Sequence, residues 1–250
     1  MDTVFLTDAG KVRDHNEDAG GIFINKAGEY LAVVADGMGG HQAGDIASKM
    51  TTDLLSQAWK SLEKPFTPDE AGEWLSVKID EVNQKVFDKA NENSHLQGMG
   101  TTLVAAVCTP SFIVIAHVGD SRAYLLTEAA LQLKTQDHSL VNELKKSGQL
   151  TEEEAENHPR KNILTRALGT EPVIKSEKLA LEWNQGNAVI LCSDGLTNKI
   201  TDDEIKQELC SKQSLDDSAK ILIHTANERG GEDNITLAVV MNVPLEEGMM

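Results

Sequence analysis

Leu31-Ala32-Val33-Val34-Ala35-Asp36-Gly37 decides how this chain is read: a short apolar run that stops on an acid and a glycine. The run is too short and too β-branched for an average helix, so Tyr30 to Ala35 reads as a strand. The same reading applies to Thr3 to Thr7, Gly21 to Asn25, Thr102 to Cys108, Phe112 to Val118, Ala123 to Thr127, Lys175 to Leu181, Ala188 to Cys192 and Ile235 to Met241. Acids mark the ends of three more of these runs. Asp120 follows Ile113 to Val118 across a glycine, Asp194 follows Val189 to Ser193, and Asp233 stands just before Ile235. Four carboxylates thus lie at the ends of four apolar strands, and stacking those strands in one sandwich brings several ends to one rim.

Between the third and fourth strands, Ile46, Met50, Leu54 and Leu55, then Leu75, Ile79, Val82 and Val86, recur at three- and four-residue steps. They predict two helices separated by the break from Pro65 to Pro68. A second helical pair is expected over Asp202 to Cys210 and Asp216 to Glu228. Strands and helices fall in blocks, which points to an α+β layered protein with mostly antiparallel sheets. The stretch from Asp137 to Leu168 is polar. It holds one short amphipathic helix (Leu140, Val141, Leu144), a stop at Gly148 and a capping-box pattern from Thr151 to Glu154. A charged, weakly apolar insertion of this kind is more often functional or mobile than core. The tail from 244 to 250 is expected to be disordered.

The chain has 250 residues, 40% of them hydrophobic, enough for a sizeable core. Its 23 Lys and Arg against 40 Asp and Glu give a formal charge of −17, which repels phosphate backbones and anionic lipid. Nucleic acid is therefore not an expected partner, and no apolar run approaches the ~20 residues that cross a bilayer. With no basic-then-apolar opening, the expected location is the cytoplasm. Cys108, Cys192 and Cys210 are odd in number and widely spaced, and read as three reduced, buried thiols. Trp59, Trp74 and Trp183 read as packing residues. His95, His117 and His224 read as structural, with nothing pairing them at ligand spacing.

Several chemistries are excluded by spacing. Val114, Asn198 and Asp216 stand six residues beyond the three cysteines, where a thiolate phosphatase loop needs Arg. There is no Gly-x-Ser-x-Gly elbow, no Gly-x-x-x-x-Gly-Lys loop and no His-Glu-x-x-His. The strand-end aspartates remain. Carboxylates within a few ångström of one another repel and cannot all stay ionised without a cation, and an all-oxygen set favours Mg²⁺ or Mn²⁺ over zinc. Asp-Gly at a strand end is also a common hairpin-turn signal, so spacing alone leaves both readings open.

Six motifs occur in order across nearly the whole chain: Gly10-x-x-Arg13-x-x-Asn16-Glu17-Asp18, Asp36-Gly37-Met38-Gly39-Gly40-His41, Gly100-Thr101-Thr102, Val118-Gly119-Asp120-Ser121-Arg122, Ser193-Asp194-Gly195-Leu196 and Asp233-Asn234-Ile235-Thr236. In them the chain resembles the metal-dependent protein serine/threonine phosphatases of the PPM (PP2C-like) class, most of all the small bacterial members. The resemblance implies one catalytic domain over residues 1–243, a central β-sandwich flanked by pairs of helices (αββα) and a flap at about 148–166. It implies hydrolysis of phosphoserine and phosphothreonine on proteins by in-line attack of a metal-bridging hydroxide, with two Mn²⁺ or Mg²⁺ ions and room for a third, weaker one. Asp36 is expected to bridge the two ions and the Gly37 carbonyl to bind the first. Asp194 and Asp233 are expected on the second, Asp120 with Asp194 on the third, and Asp18 and Glu17 act through water. Arg13 is expected to grip the substrate phosphate. The implied partners are phosphoproteins and an opposing serine/threonine kinase, with the phosphatase a monomer. Met38 departs from the pattern of some relatives, which carry a proton-donating His there. His41, three residues on, is either a proton donor or a residue behind the site.

Overall fold

The computed structural model describes residues 1–39, 43–92, 94–156 and 158–243. His41 and the 244–250 tail, both subjects of sequence expectations, lie outside the described residues. The strands are β1 (Asp2–Asp8), β2 (Asp18–Ile24), β3 (Tyr30–Met38), β4 (Gly100–Thr101), β5 (Leu103–Cys108), β6 (Phe112–Val118), β7 (Arg122–Leu126), β8 (Leu131–Leu133), β9 (Glu177–Glu182), β10 (Ala188–Cys192) and β11 (Ile235–Met241). The helices are α1 (Ala43–Lys60), α2 (Pro68–Glu92), α3 (Leu140–Lys146), α4 (Glu152–Glu156), α5 (Asp194–Thr197), α6 (Asp202–Leu209) and α7 (Leu215–Glu228).

Two antiparallel sheets stack face to face. One runs β1-β11-β10-β7-β8 and the other β2-β3-β5-β6-β9, with β4 paired to β3. Alternate residues of one strand serve different layers. In β3, Leu31 and Val33 pack with Leu55, Trp59, Leu75 and Ile79 of α1 and α2. Ala32 and Val34 pack with Val189, Leu191, Ala238 and Val240 of the opposite sheet. On the far side, Ile190, Leu237 and Val239 meet Ile205, Leu222 and Ala226 of α6 and α7. Strands buried on both faces lose the polar alternation of a half-exposed sheet, which is why the strand runs are continuously apolar. Among the described residues no helix is long and apolar enough to cross a membrane.

Helix starts follow local chemistry. Pro68 opens α2, where its missing N–H costs nothing, and Thr67 exchanges hydrogen bonds with Glu70. Thr201 and Glu204 form the capping box of α6, and Thr151 and Glu154 repeat the exchange at α4. The structure differs from the expectations at several edges: β2 begins at Asp18 rather than Gly21, and β9 begins at Glu177 rather than Lys175. It also adds β8, whose three residues are largely exposed and carry no apolar run. Cys108 and Cys192 are buried, but Cys210 is exposed: it caps α6 just past Leu209, which takes the last buried position of that helix.

Trp59 is fully buried and anchors the α1–α2 layer, with ring centroids 5.8 Å from Phe66 and 5.1 Å from Trp74 and an indole N–H donated to the Phe23 carbonyl at 3.0 Å. Trp59→Ala is expected to lower the unfolding free energy by about 3–5 kcal/mol in urea titration. A loss below about 1 kcal/mol contradicts this packing role.

Candidate active site

The acids of five of the six motifs meet at one rim of the sandwich. β2 and β3 are in register with Asp18 opposite Asp36. Asp36 has its backbone fixed on both sides: its N–H donates to Thr102 Oγ1 at 2.9 Å, and its carbonyl accepts from Thr102 N at 2.8 Å and Thr101 Oγ1 at 2.9 Å. This gives Gly100-Thr101-Thr102 a physical task.

Asp18 is clamped by the opposite sheet. Its Oδ2 accepts from Ser193 Oγ at 2.7 Å and Thr236 Oγ1 at 2.6 Å, while its Oδ1 is buried with no partner. Thr236, having donated to Asp18, accepts from Thr7 Oγ1, which accepts from Asn16 Nδ2, each at 2.8 Å. Asp194 begins α5. Its Oδ2 accepts from Asn198 Nδ2 at 3.0 Å, and its Oδ1 is likewise buried and unpartnered. Asp233 accepts from Arg13 Nη2 at 2.9 Å and from Asn234 N at 2.9 Å. Asn234 ties the 9–17 loop to β11, donating to the Ala9 and His15 carbonyls and accepting from Glu17 N at 2.7 Å.

Gly37 and Gly44 approach too closely for any side chain. A Cβ on Gly37 would lie 2.2 Å from the Gly44 oxygen, and one on Gly44 would lie 2.8 Å from the Gly37 oxygen and 2.9 Å from Glu17 Oε2. The Gly37 carbonyl and the Glu17 carboxylate therefore border the same spot.

Burial pushes Asp18 and Asp120 up to about 7 and holds Asp36 well above the ordinary carboxylate range, with Asp194 and Glu17 also raised. After burial, the largest influences on Asp36 are the charges of Asp18, Asp194, Asp120 and Asp233, so all five acids face a common space. Two buried carboxylate oxygens without partners, in a set made only of oxygen donors, fit hard divalent cations. A cleft of about 350 Å³ opens beside Asp120 and Asp194, with Arg122, Asp137, Lys145 and Lys161 on its walls.

A family model for protein phosphatase 2C matches residues 10–236. The chain belongs to this protein phosphatase family. The serine/threonine phosphatase stp of Listeria welshimeri is 48% identical over 248 residues, covering 99% of this chain and 98% of the relative. The serine/threonine phosphatase Stp1 from Staphylococcus aureus superposes with a TM-score of 0.91 at 39% identity, covering 96% of this chain and 94% of the other. The catalytic domain of the serine threonine protein phosphatase PstP, solved in complex with two manganese ions, superposes with a TM-score of 0.84 at 30% identity, covering 97% and 98%. The two antiparallel sheets with helices match the fold of these neighbours.

Within this family fold, Asp18, Asp36, Asp120, Asp194, Asp233, Glu17 and Gly37 come together. Arg13 sits at the same rim but holds Asp233, with its guanidinium half exposed. Met38 ends β3 and has no proton to donate. One expectation is corrected: His117 is not isolated, since His117, His138 and Glu177 bring ligand atoms within 4.8 Å of one another. They are far apart in sequence, from β6, the turn before α3 and β9: the β6–β9 pairing sets His117 opposite Glu177, and bonds to Gly119 bring His138 beside them. Ser193, Thr236 and Asn234 lie within the motifs, but their roles emerge only from the folded contacts. A hydroxyl or amide that serves another residue's carboxylate has no signature of its own in spacing.

The raised acids give the metal-free protein a defined pH response. Asp18 and Asp120 move from 3.8 to about 7 on folding, so between these values the folded state binds more protons than the unfolded state. Stability is then greatest at the acid end of that window and falls as pH rises through it. Below about pH 6.5 the buried His117 and His138, whose pKa values are lowered by burial, add a slope of opposite sign. The melting temperature of metal-free protein is therefore expected to drop from about pH 6.5 to about pH 8, and Mn²⁺ to raise it more at the upper pH. A metal-free melting temperature that is flat or rising over this interval contradicts the clustering.

Proposed function

We propose that this protein hydrolyses phosphoserine and phosphothreonine monoesters on proteins, opposing a serine/threonine kinase. The observation that carries the reading is the group of buried carboxylates around Asp36, two of which leave an oxygen unpartnered at the edge of an open cleft. Asp36, the Gly37 carbonyl, Asp194 and Asp233 would hold two Mn²⁺ or Mg²⁺ ions, Asp120 with Asp194 a third, and Asp18 and Glu17 would act through water. Bound divalent ions supply an acidified water as nucleophile and neutralise charge on the phosphoryl oxygens.

The chain's own residues account for the rest. Ser193 and Thr236 occupy one oxygen of Asp18 and leave the other buried without a partner, free to take up a water. Arg13 offers a planar fork of N–H donors suited to a phosphate dianion, at the solvent edge where a phosphoprotein side chain enters. The Asp233 carboxylate fixes that fork before substrate arrives. The segment 148–166 borders the cleft through Glu152, Lys161 and Asn162, and selects among phosphoproteins rather than taking part in bond breaking.

Turnover of a phosphothreonine peptide and of p-nitrophenyl phosphate is expected in Mn²⁺, with loss on EDTA addition and recovery on Mn²⁺ return. Asp36→Asn and Asp194→Asn should each reduce kcat by about 100-fold or more in folded protein. Activity indifferent to EDTA and to both substitutions overturns the reading. Replacing 148–166 by a Gly/Ser linker should lower kcat/KM on phosphopeptides far more than on p-nitrophenyl phosphate. Equal losses on both substrates contradict a selecting role.

A further inference from the structure

His138 is 3% exposed and lies between the Asp120 turn and the end of the 148–166 segment. It engages both backbone groups of Gly119: its main-chain N–H donates to the Gly119 carbonyl at 2.9 Å, and its Nδ1 accepts from Gly119 N at 3.0 Å. Its own carbonyl accepts from Thr165 N at 2.8 Å. Gly119 has φ +104, and a Cβ there would lie 2.7 Å from Thr102 Cβ, so this backbone position is open only to glycine. The residue fixed in this way is covalently joined to Asp120.

The partners determine the tautomer. Gly119 N–H can only donate, so Nδ1 carries the lone pair and the proton of the neutral ring is on Nε2. Nε2 lies 3.2 Å from Glu177 Oε1, which accepts that proton and also takes Arg166 Nη1 at 3.3 Å; Arg166 Nη1 stands 3.3 Å from Nε2 as well, but its N–H has the Glu177 carboxylate as acceptor, whereas Gly119 N–H, closer at 3.0 Å, has only Nδ1. The His117 ring stacks on His138 with centroids 4.8 Å apart and planes at 15°. His117 Nε2 donates to the Gln136 carbonyl at 3.0 Å. Near-parallel stacked rings do not converge their in-plane lone pairs on one point, and His138 has none left to give. The trio is therefore a hydrogen-bonded joint rather than a second metal site.

We propose that His138 is a positioning residue for Asp120: through the Nδ1 bond to Gly119 it sets the Asp120 carboxylate against Asp194, and through Nε2 it links that turn to Glu177 and the Arg166 end of the 148–166 segment. This inference rests on the reading of Asp120 as a cation ligand. The geometry suggests two isosteric substitutions that separate the bonds. Asn places an oxygen where Nδ1 stands and keeps the Gly119 acceptor while losing the Glu177 contact. Gln places its amide where Nε2 stands and keeps the Glu177 contact while losing the Gly119 acceptor.

Mn²⁺ binding isotherms of substrate-free protein, followed by electron paramagnetic resonance of free Mn²⁺, test this alongside melting temperatures and kcat and KM for p-nitrophenyl phosphate. Asp120→Asn marks the loss of the weakest site. His138→Gln is expected to weaken that same site by about tenfold or more and to lower kcat, while His138→Asn stays within about threefold of wild type at a similar cost in melting temperature. Equal binding losses in both variants, tracking their melting temperatures, or wild-type binding in His138→Gln, overturn the positioning role and leave the phosphatase reading intact. Failure of wild-type protein to bind Mn²⁺ overturns both. Should His138→Gln not fold, His138→Asn decides with Gly119 amide exchange measured by NMR. Retained protection with retained weak-site affinity supports the joint, and retained protection with about tenfold weaker binding overturns it.

Discussion

Five aspartates are brought into one partly dehydrated space, and much of the rest of the molecule serves to keep them there. Burial and mutual repulsion both oppose the ionisation of Asp18, Asp36, Asp120 and Asp194. A loop could not hold such a group against its own repulsion. The acids instead stand at the ends of β3, β10 and β11, the start of β2 and the turn after β6, all elements whose bodies are committed to three apolar layers. The stability of those layers opposes the electrostatic strain at the rim.

Precision comes from a set of small polar residues behind the acids. Thr101 and Thr102 fix the Asp36 backbone, Ser193 and Thr236 take one oxygen of Asp18, and Asn234 fastens the 9–17 loop to β11. The contacts to Asp18 are short, at 2.7 and 2.6 Å, and leave its carboxylate little rotational freedom. Asp18 and Asp194 share a pattern: one oxygen is hydrogen-bonded to the protein and the other is left bare. Such asymmetry suits a ligand, because the satisfied oxygen sets the direction in which the free one points.

The sequence made the strand bodies legible because strands buried on both faces are continuously apolar. Phe112–Val118, Ala188–Cys192 and Ile235–Met241 have the bounds that their composition implies. The acids were visible because they interrupt those runs at their ends. What lacked a local apolar pattern was hidden: β8 is exposed, and Cys210 falls one residue past the buried stripe of α6. The meeting of His117, His138 and Glu177 depends on which strands become neighbours, and periodicity carries no information about strand order. Hydroxyl clamps such as Ser193 on Asp18 span 175 positions in the chain and were equally silent.

The formal charge of −17 and the acid-lined rim make divalent cations the natural complement of this surface, with Arg13 the cation placed nearest Asp233. The direct measurement is anomalous diffraction at the manganese edge from crystals grown with Mn²⁺. The account predicts at least two peaks bounded by Asp36, the Gly37 carbonyl, Asp194 and Asp233, with the free oxygen of Asp18 facing them. An anomalous map with no peak among these residues, from crystals in which the five carboxylates adopt the arrangement described, contradicts it.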